Sequence, residues 1–405
     1  MFTLASPSFL GKPKPAPPIV EFLRDLVYFT TYSTEPRARD GVVFFSIDEK
    51  LAYNSFYLDF GPHSLGSTFQ FCSVMNKMVT AAAKTRRKIF FYSAPDPQLR
   101  TNAVCLLACW GLLFHGMSAE RAYAPFTRLS FPAFHDASPA VCEYKLTILD
   151  CLQGLERALK CGFVDPKTFN IHEYHHYEQV ENGDLTWISP KFIAFAGPQQ
   201  SYNVSSEGYV MLTPEHYMPY FVKNNVTLVV RLNEKEYDET QFTRKGITHL
   251  DLYYPDGATP PPCMLQRFLQ ICESTPGAVA VHCKAGLGRT GTCIAAYLMK
   301  HFHFTAKQVI GWLRLCRPGS VIGPQQEYLE SIQSWMWELG DRKSREILSD
   351  VKKQGSGSSR VSGLLTTRAI SVFGVKKPLE IMERQNTQGD HLMRLKRTFQ
   401  AGTSA

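Results

Sequence analysis

The 405-residue chain lacks several features that would assign it to a class of protein at once. Its eleven cysteines include no Cys-x-x-Cys pair, so we expect no zinc site. Its longest apolar run, Ala103 to Phe114, is shorter than the ~18 residues that a membrane span requires. The first ten residues carry no cation that could flank a signal peptide. These absences predict a soluble intracellular protein with reduced thiols and no membrane span.

The positive charge of the chain is concentrated near one end. The net charge is +8, and residues 341–405 contribute 13 Lys and Arg against 6 Asp and Glu, which is +7. The first 340 residues therefore hold 31 against 30, which is +1. A nearly neutral folded part gives no reason to expect a nucleic-acid partner. Because the run that begins at Lys352 is rich in Gly and Ser, we expect residues 341–405 to form a mostly disordered basic tail.

Strand and helix patterns alternate along the rest of the chain, which predicts an α/β fold, and the length predicts more than one domain. We expect a flexible arm at 1–20, a first domain at 21–167, a linker helix at 168–184 and a second domain at 185–340. Predicted strands are Val43 to Phe45, Phe56 to Phe60, Phe192 to Phe195, Val226 to Arg231 and Ala278 to His282. Predicted helices are Leu65 to Ala83, Ala103 to His115, Pro214 to Lys223, Leu265 to Cys272, Thr290 to His301 and Thr305 to Cys316.

One segment carries the clearest chemical signal: an apolar strand ending at His282 is followed by a glycine-containing loop and a helix. Five residues separate Cys283 from Arg289, so the loop between them can surround one phosphate with its amide N–H groups. The predicted phosphate-binding residues are Lys284, Ala285, Gly286, Leu287 and Gly288. No Gly-Lys-Ser/Thr follows, which argues against a nucleotide-binding loop.

Each polar residue of this segment has an expected role. The positive end of the helix favours the thiolate of Cys283, which is the predicted nucleophile. Arg289 presents a planar fork of donors that can hold two phosphate oxygens. The Thr290 hydroxyl can assist the departure of the thiolate when a phosphocysteine is hydrolysed. His282 is expected to orient the loop through backbone contacts and not to act as a general base.

Two further loops can supply the remaining catalytic groups. Asp256, in Tyr-Tyr-Pro-Asp-Gly, is the candidate acid that protonates the leaving oxygen. Downstream, the proline- and glycine-rich loop from Arg317 ends in two amides, and either Gln325 or Gln326 can position the hydrolytic water.

These strings resemble a known family. Cys283 to Arg289 match the Cys-x5-Arg signature of cysteine-dependent protein phosphatases, and His-Cys-Lys-Ala-Gly-Leu-Gly-Arg-Thr-Gly-Thr is similar to the cell-division-cycle 14 dual-specificity phosphatases. Three other stretches look like that family, namely Leu146 to Gly154, Val180 to Asp184 and Arg317 to Gln326. The resemblance covers roughly Tyr28 to Gly340.

The resemblance implies two tandem phosphatase-like domains, of which only the second is catalytic. It implies an enzyme that uses no metal and no cofactor. Its expected substrates are phosphoproteins from proline-directed kinases, with phosphotyrosine also accepted. The segment Lys88 to Ala103 supports the duplication, because it repeats the strand, loop and helix order with Ser93 near the position of the cysteine. A role in the cell cycle and a location in nucleus and cytoplasm, with centrosome or spindle, follow from the resemblance alone.

The resemblance also implies an acidic groove between the domains that binds a basic substrate residue, and we expect Glu178 and Asp184 to contribute to it. Histidines interspersed in the linker, at 172, 175 and 176, weaken that expectation. Two alternatives stay open. One is a non-catalytic phosphoprotein-binding scaffold, and the other is an inositol-lipid phosphatase, whose loop would be expected to carry more cations than Lys284.

Overall fold

The computed structural model describes residues 18–204, 210–354 and 387–402. The strands are β1 Val20–Leu23, β2 Val27–Thr31, β3 Val42–Phe45, β4 Lys88–Ser93, β5 Leu185–Ser189, β6 Phe192–Phe195, β7 Asn203–Val204, β8 Val210–Met211, β9 Val226–Arg231, β10 Thr248–Asp251 and β11 Ala278–His282. The helices are α1 Leu65–Thr85, α2 Pro97–His115, α3 Ala119–Tyr123, α4 Ile148–Lys160, α5 Ile171–Glu178, α6 Pro214–Lys223, α7 Thr240–Thr243, α8 Pro262–Ser274, α9 Gly288–Phe302, α10 Ala306–Cys316, α11 Gln325–Gln354 and α12 Gln388–Gly402. Most of the predicted flexible arm, residues 1–17, lies outside the described residues.

Each of the two predicted domains contains one mixed sheet. The first has the strand order β1-β2-β4-β3, in which only the β1–β2 pair is antiparallel. The second has the order β10-β9-β11-β6-β5, in which only the β5–β6 pair is antiparallel. Strand β11 is central and every residue in it is buried, so the loop that follows it starts from a rigid position. The α/β prediction is confirmed.

All the predicted helices form, although α2 begins at Pro97, six residues before the predicted start at Ala103. The predicted strand Phe56 to Phe60 is wrong. The chain there turns around the buried carboxylate of Asp59, which accepts hydrogen bonds from the Tyr57 amide at 2.8 Å and the Tyr53 hydroxyl at 2.8 Å. A backbone that hydrogen-bonds to its own side chains in this way leaves the sheet. Phe56 and Phe60 are buried although this segment is a loop and not a strand.

The first domain contains the same strand, loop and helix order as the catalytic segment, in β4 and α2. At the position where the cysteine was expected to be replaced, the Ser93 hydroxyl is buried and donates to the Ala94 carbonyl. The Ala94 amide donates to a carboxylate oxygen of Asp48 at 2.6 Å. The Asp48 carboxylate thus already accepts the hydrogen bond of an amide at the start of this loop, which argues against phosphate binding there.

The two domains share a continuous apolar core through the contact of α4 with α10. Glycines allow the helices to approach closely. A Cβ atom on Gly154 would collide with the Gln308 carbonyl oxygen, and one on Gly311 would lie 2.7 Å from the Cys151 Cα atom. All eleven cysteines are free thiols. Within residues 18–204, 210–354 and 387–402, no helix is both long and apolar enough to cross a membrane.

The structure differs from the expected tail in two places. Helix α11 continues past residue 340 to Gln354, and Gln388–Gly402 form α12. The buried side chain of Leu392 belongs to an apolar cluster with Phe56, Leu287 and Ile322, which fixes α12 to the folded part. Residues 355–386, which carry the rest of the predicted tail, lie outside the described residues.

Candidate active site

The carbonyl groups of the loop between β11 and α9 accept hydrogen bonds from surrounding groups, and these bonds hold the loop in place. The carbonyl of Cys283 accepts from His282, that of Lys284 accepts from the Gly197 amide at 2.9 Å, and that of Gly288 accepts from the Thr292 hydroxyl at 2.9 Å. The carbonyls of residues 285 and 286 accept from Arg317, and that of residue 287 accepts from two backbone amides. Since the N–H of a peptide plane points away from its C=O, the loop amides face the space enclosed by the loop.

Gly286 shows why this loop needs glycine. Its φ of +67° lies in the left-handed region, and a Cβ atom there would collide with the Phe195 carbonyl oxygen on β6. The side chains of Ala285 and Leu287 are buried against the apolar cluster that also holds Leu392. The loop is therefore anchored on both sides of its turn.

The predicted nucleophile and arginine lie at the two ends of this loop, and both are buried. One guanidinium nitrogen of Arg289, Nη1, donates to the Tyr254 carbonyl at 3.0 Å, and Nη2 lies 3.2 Å from Asp256 Oδ1. The Arg289 Nε atom and the Thr290 hydroxyl are buried and have no hydrogen-bond partner in the described part of the chain. Two donors of the catalytic loop are therefore available to a bound phosphate.

His282 orients the loop, as expected. Its Nδ1 lies 2.9 Å from the Cys283 carbonyl and must donate, because a carbonyl can only accept. Its Nε2 then accepts from the Tyr237 hydroxyl at 2.7 Å. Burial lowers the pKa of His282 to about 3, so the ring is neutral near pH 7 and has no nitrogen free to act as a base.

The structure brings Asp256, on the loop after β10, next to Arg289. Its Oδ1 accepts from the Gly257 amide at 3.1 Å, and its Oδ2 accepts from the Gly389 amide of α12 at 2.7 Å. The carboxyl is thus placed beside the phosphate-binding loop, within reach of a leaving oxygen. This position fits the role of acid predicted for it.

The two candidate amides have different surroundings. Gln325 lies against the loop, and its Oε1 is 2.9 Å from the place where a Cβ atom on Gly288 would stand. Its amide also bonds to the Ile322 N–H and the Ala258 carbonyl. Gln326 is bound by Arg314 at 2.7 Å and faces the first domain. Of the two, Gln325 is the one that lies against the loop.

The two linker carboxylates occupy different depths. Glu178, at the end of α5, lines a groove of about 660 Å³ between the domains, together with Tyr53, Phe56, His63 and Pro318. Asp184 lies deeper, is almost fully buried, and forms an ion pair with Arg317 at 2.7 Å. Glu178 can therefore meet a substrate directly, whereas Asp184 is already bound to a residue that touches the loop.

Helix α12 lies across the mouth of this site. Besides the bond from Gly389 to the acid, Asp390 pairs with Lys284 at 2.7 Å, and Lys396 pairs with Asp184. Three predicted site residues thus contact the chain's own C-terminal segment. Sequence reasoning missed these partners because α12 is more than a hundred residues from the loop, although the basic residues of the helix were visible.

Comparisons with known proteins identify relatives along most of the chain. Residues 21–158 match the family described as "Dual specificity protein phosphatase, N-terminal half", and residues 207–303 match "Polymorphic toxin system, DSP-PTPase phosphatase". The chain is 44% identical over 403 residues to dual specificity protein phosphatase CDC14A of Homo sapiens, covering 95% of this chain and 67% of that protein. It is 40% identical to CDC14C of Homo sapiens, covering 94% and 88%. It is 42% identical to the tyrosine-protein phosphatase CDC14 homolog of Schizosaccharomyces pombe, covering 77% and 60%. The chain thus spans about two thirds of the length of several of these relatives.

Proposed function

The chain belongs to the CDC14 family of dual specificity protein phosphatases, and we propose on this basis that it hydrolyses phosphoserine, phosphothreonine and phosphotyrosine in proteins, with preference for sites followed by proline. One observation carries the reaction type. All the loop carbonyls between Cys283 and Arg289 are bonded on the outside, so the amides are arranged for an oxyanion beside a thiol.

The first half of the reaction uses Cys283, Arg289 and Asp256. The thiolate attacks phosphorus, the S–P bond forms, and the bond from phosphorus to the serine, threonine or tyrosine oxygen breaks. Protonated Asp256 gives its proton to that leaving oxygen. The phosphate replaces Asp256 as the partner of Arg289, whose fork follows the equatorial oxygens to the transition state.

The second half hydrolyses the phosphocysteine. Water held by Gln325 gives a proton to the Asp256 carboxylate and attacks phosphorus, and the S–P bond breaks to return the thiolate and inorganic phosphate. The buried Thr290 hydroxyl, which has no partner in the described residues, can donate to the departing sulfur. Every proton in the cycle is thus assigned to a residue beside the loop.

Substrate preference is assigned to the interdomain groove, because the loop itself contacts only the phosphate. The groove combines apolar side chains, which suit a proline, with the carboxylate of Glu178. The inositol-lipid alternative is less well supported, since Lys284 is the one cation between Cys283 and Arg289 and its ammonium is paired with Asp390.

The test compares two phosphopeptides that differ only in having proline or alanine after phosphoserine. We expect kcat/KM to be about tenfold higher or more for the proline peptide, a difference of ~1.4 kcal/mol in transition-state binding. Cys283→Ser is expected to abolish turnover and keep phosphopeptide binding, because serine is a far weaker nucleophile near neutral pH.

Turnover by Cys283→Ser would contradict the phosphocysteine route. Equal rates on the two peptides would remove the proline preference, and faster hydrolysis of a phosphoinositide than of either peptide would favour the lipid alternative. If the parent protein bound the phosphopeptides but did not hydrolyse them, the result would favour the non-catalytic phosphoprotein-binding scaffold. The role in cell division and the location in nucleus and cytoplasm, with centrosome or spindle, are further proposals from family membership, checked by imaging a tagged chain through mitosis.

A further inference from the structure

Arg317 occupies a position that the proposed reaction has not yet used. It follows α10 and its side chain is 1% exposed. Its Nε donates to the Gly286 carbonyl at 2.9 Å, and its Nη2 donates to the Ala285 carbonyl at 2.9 Å. Its Nη1 lies 2.7 Å from Asp184 Oδ1. One guanidinium therefore joins two peptide planes of the loop to a carboxylate at the end of the linker.

The two carbonyls held by Arg317 belong to the centre of the loop. If either peptide plane rotated, its carbonyl would turn toward the phosphate and its amide would turn away, replacing attraction by repulsion. A planar fork with fixed donor directions resists such a rotation at both peptides at once, whereas a lysine offers one freely rotating point charge. The contact therefore bears directly on how well the loop binds an oxyanion.

The geometry points to Arg317 as a positioning residue for the phosphate-binding loop, with Asp184 as its anchor. Asp184 lies against Nη1, the guanidinium nitrogen that bonds to neither loop carbonyl, and its negative charge compensates that of the buried Arg317. A basic group that pairs with Asp184, as Lys396 does, shares the same carboxylate oxygen as Arg317. Asp184, which was expected to bind a basic substrate residue, thus also influences the turnover rate through Arg317. This inference rests on the proposed phosphatase function.

The experiment uses the full chain and a small aryl phosphate, which has no basic group and so does not report recognition of substrate charge. Tungstate binding, measured by calorimetry, reports the loop independently of turnover. For Arg317→Lys we expect kcat to fall about tenfold to a hundredfold and tungstate to bind more weakly, as when an oxyanion contact is lost. For Asp184→Asn, which keeps the shape and removes the charge, we expect a smaller change in the same direction.

The matched control is Glu273→Gln. Glu273, on α8, is another mostly buried carboxylate of the same domain. It pairs with Lys300 near the end of α9 and with Lys343 on α11, and none of the hydrogen bonds and ion pairs found for it in the described residues involves the loop. The Glu273→Gln substitution should lower the melting temperature and leave kcat and tungstate affinity unchanged in the folded protein.

Wild-type kcat and tungstate affinity in Arg317→Lys would overturn the positioning role. An Asp184→Asn protein that is altered only toward peptides with a basic residue would overturn the anchoring role. If the parent protein bound tungstate but did not turn over the aryl phosphate, the proposed function would fail, while the binding comparison would still decide the role of Arg317.

Discussion

Asp256 must change partners during the proposed cycle. In this structure its two oxygens are occupied by Arg289, by the Gly257 amide and by the Gly389 amide of α12. A phosphate in the loop competes for Arg289, and a leaving oxygen must come within hydrogen-bond distance of the carboxyl. A bound substrate therefore displaces Arg289 from the carboxyl group of Asp256. The effect of Asp256 on the rate should depend on how much protonation the leaving oxygen needs.

For Asp256→Asn we expect a loss in kcat of about 10²-fold to 10⁴-fold on a phosphoserine peptide and a much smaller loss on an aryl phosphate with a good leaving group. An alkoxide needs a proton to depart, whereas such a phenolate needs little assistance. Steady-state kinetics on both substrates provide the measurement. Similar losses on the two substrates would exclude Asp256 as the acid.

The residues of the loop could be predicted from sequence because they are contiguous and their chemistry depends on spacing alone. Cys283 and Arg289 are buried at the two ends of the loop, and Asp256, which was predicted from a separate segment, lies beside Arg289. The contacts of Arg317 could not be predicted in the same way. They depend on how the strand and helix order brings a residue 28 positions after Arg289 back against the outside of the loop.

Among the elements, the pair α4 and α10 determines how the two domains meet. Their close approach depends on Gly154 and Gly311, which leave no room for a Cβ atom. Elements with clear apolar patterns were predictable from sequence, including α10 and β11. The segment Phe56 to Phe60 was not, since its aromatic run has the composition of a strand while the hydrogen bonds to Asp59 determine its course.

Gly154→Ala tests the contact between the helices. In an isolated helix this change would stabilise by ~1 kcal/mol, since alanine has the higher helix propensity. Here the added Cβ would collide with the Gln308 carbonyl, so we expect a net loss of ~1–3 kcal/mol in the free energy of unfolding. Urea denaturation gives the value.

Lys160→Ala, at the exposed end of the same helix, is the control. Its ion pair with Glu156 is on the surface, so the free energy of unfolding should change by less than ~1 kcal/mol. A Gly154→Ala protein as stable as the parent would show that the two helices can separate without cost.

In the molecule as a whole, both domains, the linker and α12 meet at one groove. The first domain contributes Tyr53 and Phe56, the linker contributes Glu178, the catalytic domain contributes Arg317 and α12 contributes Lys396. A phosphopeptide that reaches the loop with a basic residue over the linker must use surface that α12 covers. We therefore expect binding of such a substrate to require displacement of the helix.

Leu392→Asp should loosen α12, because it places a charge in the apolar cluster with Phe56 and Leu287. We expect KM for phosphopeptides with a basic residue to fall severalfold, since the peptide no longer displaces a bound helix. Arg394→Ala, on the exposed side of α12, is the control and should leave KM unchanged. An unchanged or higher KM in Leu392→Asp would mean that substrates bind with α12 in place.

Because α12 is part of the same chain, its effective concentration at the groove does not depend on the concentration of the protein. A separate peptide that occupied the groove would be lost on dilution, but a covalently joined segment keeps the same effective concentration at every dilution of the protein. The affinity that a substrate needs in order to displace α12 is then constant. It is set by the affinity of α12 for the groove and not by the amount of phosphatase present. The ranking of substrates by affinity would thus be the same in a dilute assay and in a crowded compartment.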